Sequence, residues 1–174
     1  MGILSSIKRS LYAKALADKA IALTNQNRFK GWDTVEVCSI LFEYNGLFDI
    51  KAISSFADTL RNQGKNVHLL CFTGKEIKEE LAYKSFNEKD ISFNLVPKSA
   101  VVNGFIERHS DILYNLIPLN REVSEYISTS ANADFKIGLF DDSRSGLDLM
   151  INLKETNLKE FIKTADRVLL KTNI

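Results

Sequence analysis

Few residues in this sequence have the type and the spacing that catalysis requires. Histidine is the usual general base near neutral pH, and the chain has two: His68 lies inside an apolar run and His109 follows a helical segment. Neither has a nucleophile at a recognisable spacing. We therefore predict no catalytic residue, and the sequence favours a non-enzymatic protein.

The two cysteines, Cys38 and Cys71, lie in apolar, β-rich runs, where a thiol usually behaves as a small buried hydrophobic group. They do not form a C-x-x-C pair, so they indicate neither a zinc knuckle nor a disulfide framework. Free thiols fit a reducing compartment. A cytoplasmic location is therefore expected, and no cofactor is predicted.

Two short segments have a partial likeness to phosphate-binding loops. A phosphate cradle needs several glycines, because backbone N–H groups must close on the anion. The segment EYNG at residues 43–46 has one glycine, and FTGK at residues 72–75 lacks the upstream glycine and the following Ser or Thr of a P-loop. Both segments are typical of solvated turns.

Charged residues near two further turns allow weaker alternatives. Asp141 and Asp142 stand beside Ser143 in a turn, which is more often a solvated loop than a cation site, so no metal site is predicted. Arg121 and Glu122 open a predicted helix and could hold an anion at its N-terminus, but Glu122 also suits the helix dipole without any ligand. The structural interpretation is favoured in both places.

The composition is that of a single globular domain. The chain has 174 residues, is 45% hydrophobic and carries a formal net charge of +1, from 23 Lys and Arg against 22 Asp and Glu. A general attraction to nucleic acid is therefore not expected. No apolar run approaches the roughly 18 residues of a membrane-spanning helix, and no signal-peptide core is recognisable.

Apolar β-rich runs alternate with helical patterns, which predicts an α/β fold. The predicted buried parallel strands are residues 35–42, 66–72 and 111–116, with Ile40, Leu69 and Ile112 in the core. The predicted helices of this body are residues 50–62, 120–130 and 158–170. Together these elements indicate a Rossmann-like three-layer sandwich with a mostly parallel sheet.

The remaining segments give weaker patterns. Residues 76–83 resemble a short polar helix, residues 91–95 a brief strand and residues 101–109 a helical turn. Residues 135–139 and 147–153 both have strand patterns, and the polar turn between them is compatible with a hairpin. Its last strand would then be an antiparallel edge strand.

In an open parallel sheet, ligands bind beyond the carboxyl ends of the strands. The loops to consider begin at the ends of the predicted strands. The candidate ligand-binding residues there are Glu43, Asn45, Thr73, Asn115 and Arg121.

A basic amphipathic helix is predicted over residues 3–28, ahead of a single domain formed by residues 31–174. Ile3, Ile7, Leu11 and Ala15 form one stripe of this helix, and its other faces carry basic residues that include Lys8, Arg9 and Lys14. One interpretation is that the helix packs on its own domain. The other is that residues 1–30 dock onto a partner protein or a membrane surface through Lys8, Arg9 and Lys14.

The segment SDILYNLIPLNREVSEYISTSANADFKIGL, residues 110–139, resembles two families. One is a family of small uncharacterised Rossmann-like proteins of Bacteroidetes, whose order of elements matches nearly the whole chain and whose activity is not established. The other is the N-terminal half of heptosyltransferases of the glycosyltransferase-B type, which is similar over about thirty residues. Asn115 stands where those transferases have a strand-end aspartate.

These observations leave two functions open. The first is a non-enzymatic interaction or accessory protein that docks through its basic helix, in the cytoplasm or at a membrane surface. The second, which the heptosyltransferase resemblance implies, is a protein or transferase that binds a nucleotide-sugar or another small ligand at the strand-end loops.

Overall fold

One six-stranded sheet with helices on both faces forms the framework of the protein. The computed structural model describes residues 3–23, 29, 31–118, 122–142 and 146–171. The strands are β1 (Val37–Glu43), β2 (Asn66–Phe72), β3 (Lys84–Phe86), β4 (Ser110–Asn115), β5 (Ala133–Leu139) and β6 (Leu149–Ile151). The helices are α1 (Ile3–Leu23), α2 (Ile50–Asn62), α3 (Ala100–Glu107), α4 (Glu122–Ser130) and α5 (Leu158–Leu169).

The strand order is β3-β2-β1-β4-β5-β6, and each neighbouring pair is parallel. This is the strand order of a Rossmann fold. From β1, the strands β2 and β3 extend the sheet to one side, and β4, β5 and β6 extend it to the other side. The predicted α/β class with a Rossmann-like parallel sheet is confirmed.

The sheet has a hydrophobic core on each face, because successive side chains of a strand point to opposite sides. Ile40 and Phe42 of β1 pack with residues of α2 and α5 on one face. Leu41 of β1 packs with residues of α1, α3 and α4 on the other face. Ile40 and Ile112 are fully buried, as predicted.

In the first β-α-β unit the helix and the second strand have the predicted bounds, because their sequence signals are strong, while β1 covers Val37–Glu43 instead of residues 35–42. The Asp49 carboxylate accepts hydrogen bonds from the N–H groups of Lys51 and Ala52 at the start of α2. Gly64, with φ of +81°, ends the helix before β2 begins. The predicted bounds of residues 50–62 and 66–72 are confirmed.

Two weak predictions between β2 and α3 are wrong. Residues 76–83 are not helical, because their helix-forming residues have no long apolar stripe to bury against the sheet. Residues 91–95 are not a strand and make only an antiparallel bridge from Ile91 to Pro97. The strand of this region is β3, which pairs with the last three residues of β2, so Leu69 is only partly buried rather than in the core.

The predicted hairpin over residues 135–153 is also wrong, and with it the antiparallel edge strand. β6 runs parallel to β5, with Leu149 opposite Ile137. An alternating apolar pattern is the same for either strand direction, so the sequence could not distinguish the two. β6 has only three residues, and they pair with Ile137, Gly138 and Leu139 at the end of β5.

None of the helices in the described part of the chain combines the length and the apolar character needed to cross a membrane.

Candidate functional site

The predicted ligand-binding residues lie along the carboxyl edge of the sheet. Glu43 ends β1, Thr73 follows β2 and Asn115 ends β4, and these three strands are neighbours. Asn45 has a left-handed backbone conformation, with φ of +53°, in the turn after β1. Arg121 lies outside the described residues. The structure therefore places four of the five predicted residues at the expected edge.

Asn115 is fully buried, and its amide group binds the protein itself. Its Nδ2 donates to Ser124 Oγ at 2.8 Å and to Ser128 Oγ at 2.6 Å, both on α4. Its Oδ1 accepts the backbone N–H of Ile117 at 3.0 Å. This residue therefore fixes α4 and the preceding loop to the end of β4, and its predicted ligand role stays a prediction.

Thr73 also has a structural role. Its hydroxyl lies 3.2 Å from the backbone oxygen of Phe86, which also accepts the Thr73 N–H at 2.9 Å. Nearby, the N–H of Tyr44 donates to the backbone oxygen of Phe72. The loops after β1, β2 and β3 are thus held by their own hydrogen bonds.

Three potential metal ligands lie close together at the other end of the strands, where β4 and β5 begin. The ligand atoms of His109, Asp111 and Asp134 are all within 4.8 Å of one another, and His109 Nε2 lies 3.1 Å from Asp134 Oδ2. However, Asp111 Oδ2 already accepts the N–H groups of Glu36 and Val37, each at 2.8 Å. We assign these groups to holding the amino ends of β1, β4 and β5 together.

The N-terminal helix packs on its own body through Tyr12. This side chain is 7% exposed, and Ala15 and Leu16 pack beside it against the core of the α4 face. The Tyr12 hydroxyl lies 2.7 Å from the backbone oxygen of Glu122 and 2.8 Å from Glu125 Oε2, both on α4. Tyr12 lies outside the predicted stripe of Ile3, Ile7, Leu11 and Ala15, so the stripe pattern gave no signal for this contact.

Two residues of the predicted aliphatic stripe, Ile7 and Leu11, do not pack on the body, whereas Ala15 of the same stripe does. Ile7 is 48% exposed and Leu11 is 46% exposed. Arg9 and Lys14 are exposed on the same helix. We call the surface formed by Ile7, Leu11 and Lys14 the outer face of α1; Arg9, two residues after Ile7, is exposed on the other side of the helix.

Lys8 is the exception among the basic residues of α1. It is partly buried, and its Nζ lies 5.6 Å from the centre of the Phe93 ring. It lines a crevice of about 320 Å³ beneath α1, together with Glu88 and Glu122. Because the carboxylates of Glu88 and Glu122 line the same crevice, Lys8 contributes less positive charge to the exposed surface of α1 than Arg9 and Lys14 do.

The fold and these contacts define an α/β protein with a parallel sheet in Rossmann order, whose N-terminal helix packs on the body and exposes a basic, aliphatic outer face. The chain belongs to the DUF6913 family, a family of unknown function, whose profile matches residues 8–171. This match confirms the expected membership of an uncharacterised family. No curated protein and no solved structure matches the chain.

Proposed function

We propose that this protein is a non-enzymatic accessory protein that docks onto a partner protein through the outer face of α1. The observation that supports this proposal is that Ile7 and Leu11 remain about half exposed while Tyr12 holds the same helix on the body. Since α1 is anchored by its inner face, the outer face is presented in a fixed orientation. A partner can then bind it without a cost for ordering the helix.

The outer face has the pattern of a helix that binds in a groove. Ile7 and Leu11 are four residues apart, so they lie one above the other on one side of the helix and can enter a single apolar groove. Burying the exposed half of each would contribute about 1 kcal/mol per side chain. Lys14, three residues after Leu11 and on the same side of the helix, favours a groove with an acidic rim, which would accelerate association and set the orientation.

A membrane surface is the less favoured partner. An amphipathic helix that binds lipid inserts its most apolar face. In this protein Tyr12, Ala15 and Leu16 pack on the body, so they are not free to insert into a membrane. Among the side chains of α1 that the structure describes, Ile7 and Leu11 are the large hydrophobic ones left for insertion, which is little apolar area for a stable anchor. The buried free thiols Cys38 and Cys71 support a reducing, cytoplasmic compartment for the interaction.

Site-specific photo-crosslinking in the source cells tests this proposal. A photoreactive amino acid at Leu11 is expected to give a discrete adduct with one protein, and Ile7→Glu should abolish that adduct. The same amino acid at Ser54, an exposed position on α2, is the matched control and should not give it. Identical adducts at both positions, or none at Leu11, would contradict docking.

The membrane alternative is tested with the purified full chain and anionic vesicles. We expect little co-sedimentation and no difference between the wild type and Ile7→Glu. Strong binding that Ile7→Glu and high salt both abolish would replace the protein partner with a lipid surface.

Binding of a nucleotide-sugar is the second candidate. The heptosyltransferase-like segment forms β4, α4 and β5. It lies beside the boundary between β1 and β4, which is where Rossmann folds bind ligands. This candidate has less support, because Asn115 and Thr73 bind within the protein. A ligand at 100 times its Kd would stabilise the protein by about 2.7 kcal/mol, so a thermal shift with a nucleotide-sugar panel tests it.

A further inference from the structure

A second surface, distant in sequence from α1, has the chemistry of an anion-binding site. A cavity of about 240 Å³ opens where β2, β3 and α3 meet. Its rim carries four basic side chains, Arg61, His68, Lys84 and Arg108. No acidic side chain among the described residues lines it. We call this cavity the basic pocket.

The basic pocket exists because β3 is short. β3 pairs only with Leu70, Cys71 and Phe72, so no described strand covers the first half of β2 on the side away from β1. Val67, His68 and Leu69 therefore face a gap in the sheet edge, which Tyr83 and Phe105 border. The gap gives the pocket an apolar floor beneath a basic rim.

The positive charge of the rim is largely uncompensated. Arg61 pairs with Asp58 at 2.8 Å, but among the described residues neither Lys84 nor Arg108 forms an ion pair. Arg108 Nη1 lies 3.4 Å from His68 Nε2. Because a guanidinium can only donate, this contact requires an unprotonated Nε2. Partial burial, Arg108 and Lys84 all lower the pKa of His68, which is consistent with a positive potential in the pocket.

Gly104 of α3 keeps the pocket open. A Cβ atom built at this position would have no heavy atom within 4 Å, so the space beside the helix is empty. Glycine costs helix stability relative to alanine. A larger side chain would fit the helix and would occupy the pocket.

We propose that the basic pocket binds a small phosphomonoester, with Lys84 and Arg108 holding the phosphate and the organic part lying against Tyr83 and Phe105. A planar guanidinium can bind two phosphate oxygens at once, and an ammonium adds a point charge. The doubly charged phosphate suits two unpaired cations better than a carboxylate does. The volume lies below the usual range for drug-sized ligands, so a small ligand fits and a dinucleotide does not.

Phenyl phosphate is the probe, and two-dimensional NMR of the full chain is the measurement. We expect saturable shifts of the amides of Val67, His68, Lys84 and Gly104, with a Kd of about 1 mM or below. The pKa of His68 should rise when the probe is added, because the dianion offsets the charges of Lys84 and Arg108. Benzoate and inorganic phosphate should each bind more weakly than phenyl phosphate.

Four variants make the test specific. Arg108→Gln and Lys84→Gln should each weaken binding about tenfold or more, since each removes a charge-assisted hydrogen bond. Gly104→Leu should abolish binding without lowering the unfolding temperature, because it fills empty space. Lys51→Gln, which removes an exposed charge on α2, should leave binding unchanged.

Several results would overturn the proposal. The absence of saturable shifts, or shifts that persist in Arg108→Gln and Gly104→Leu, would exclude binding in the pocket. Equal affinity for benzoate would exclude selection of a phosphate, and equal affinity for inorganic phosphate would exclude a contact with the organic part. Because the outer face of α1 does not line the pocket, these outcomes are independent of the docking proposal.

Discussion

The hydroxyl of Tyr12 lies 2.8 Å from Oε2 of Glu125, although the two residues are 113 positions apart in the sequence. The same hydroxyl lies 2.7 Å from the backbone oxygen of Glu122, so its single proton serves one acceptor at a time. This contact joins the N-terminal helix to α4. It makes α1 part of the body and thereby fixes the direction in which Ile7 and Leu11 point.

Removing this hydroxyl should loosen α1. Tyr12→Phe keeps the buried ring but loses the hydrogen bond to α4, so we expect the free energy of unfolding to fall by about 1–2 kcal/mol. Urea unfolding measures the change, with Ser10→Ala on the exposed side of α1 as the control. A variant as stable as the wild type would mean that α1 does not depend on this contact.

The side chain of Asn115 should be essential for stability. Asn115→Ala leaves the hydroxyl of Ser128 and the N–H of Ile117 without their buried partner, and it leaves Ser124 Oγ with only the backbone oxygen of Ile117. Each buried group that loses its partner costs about 1–3 kcal/mol, so we expect a total loss of about 3 kcal/mol or more. Chemical denaturation of Asn115→Ala and of the exposed control Asn103→Ala checks this. A small loss at Asn115 would favour the predicted ligand role instead.

Gly104→Ala should stabilise the protein. The glycine lies within α3, where alanine is the better helix former, and a Cβ atom there meets no neighbour. We expect a gain of about 0.5–1 kcal/mol, which thermal unfolding can detect. A destabilised variant would show that the space beside Gly104 is filled, and it would weaken the case for the basic pocket.

Stability should decrease in alkaline solution because of the two thiols. Burial raises the pKa of Cys38 and of Cys71 from 9.0 to about 12. Between about pH 9 and pH 12 the unfolded chain has lost these protons while the folded chain still holds them, so stability falls as pH rises. Each thiol contributes at most about 1.4 kcal/mol per pH unit. Unfolding at several pH values should give a shallower decline for the Cys38→Ala, Cys71→Ala double variant, and an equal slope would contradict this account.

The parts of the fold that the sequence predicts correctly are those with strong local signals. Asp49 and Gly64 mark both ends of α2, and the continuous apolar runs of β1, β2 and β4 identify the central strands. The errors fall on short edge elements. The three-residue strands β3 and β6 bury too little surface for their pattern to stand out, and an alternating pattern does not reveal strand direction.

The candidate sites were predictable only in part. The carboxyl edge follows from a parallel sheet, so Glu43, Thr73 and Asn115 could be placed there in advance. Their hydrogen bonds could not, because the partners of Asn115 lie on α4. The basic pocket gave no sequence signal, since Arg61, His68, Lys84 and Arg108 come from separate elements that meet only because β3 is short.

The most direct test of the docking proposal is the native size of the full chain in an extract of the source cells. Ile7→Ser combined with Leu11→Ser removes both aliphatic side chains from the outer face of α1 but leaves Tyr12 on α4. We expect the wild type to elute with a larger assembly and the double variant to elute as the free chain, with an unchanged unfolding temperature. An unchanged elution of the double variant within the assembly would contradict docking through α1.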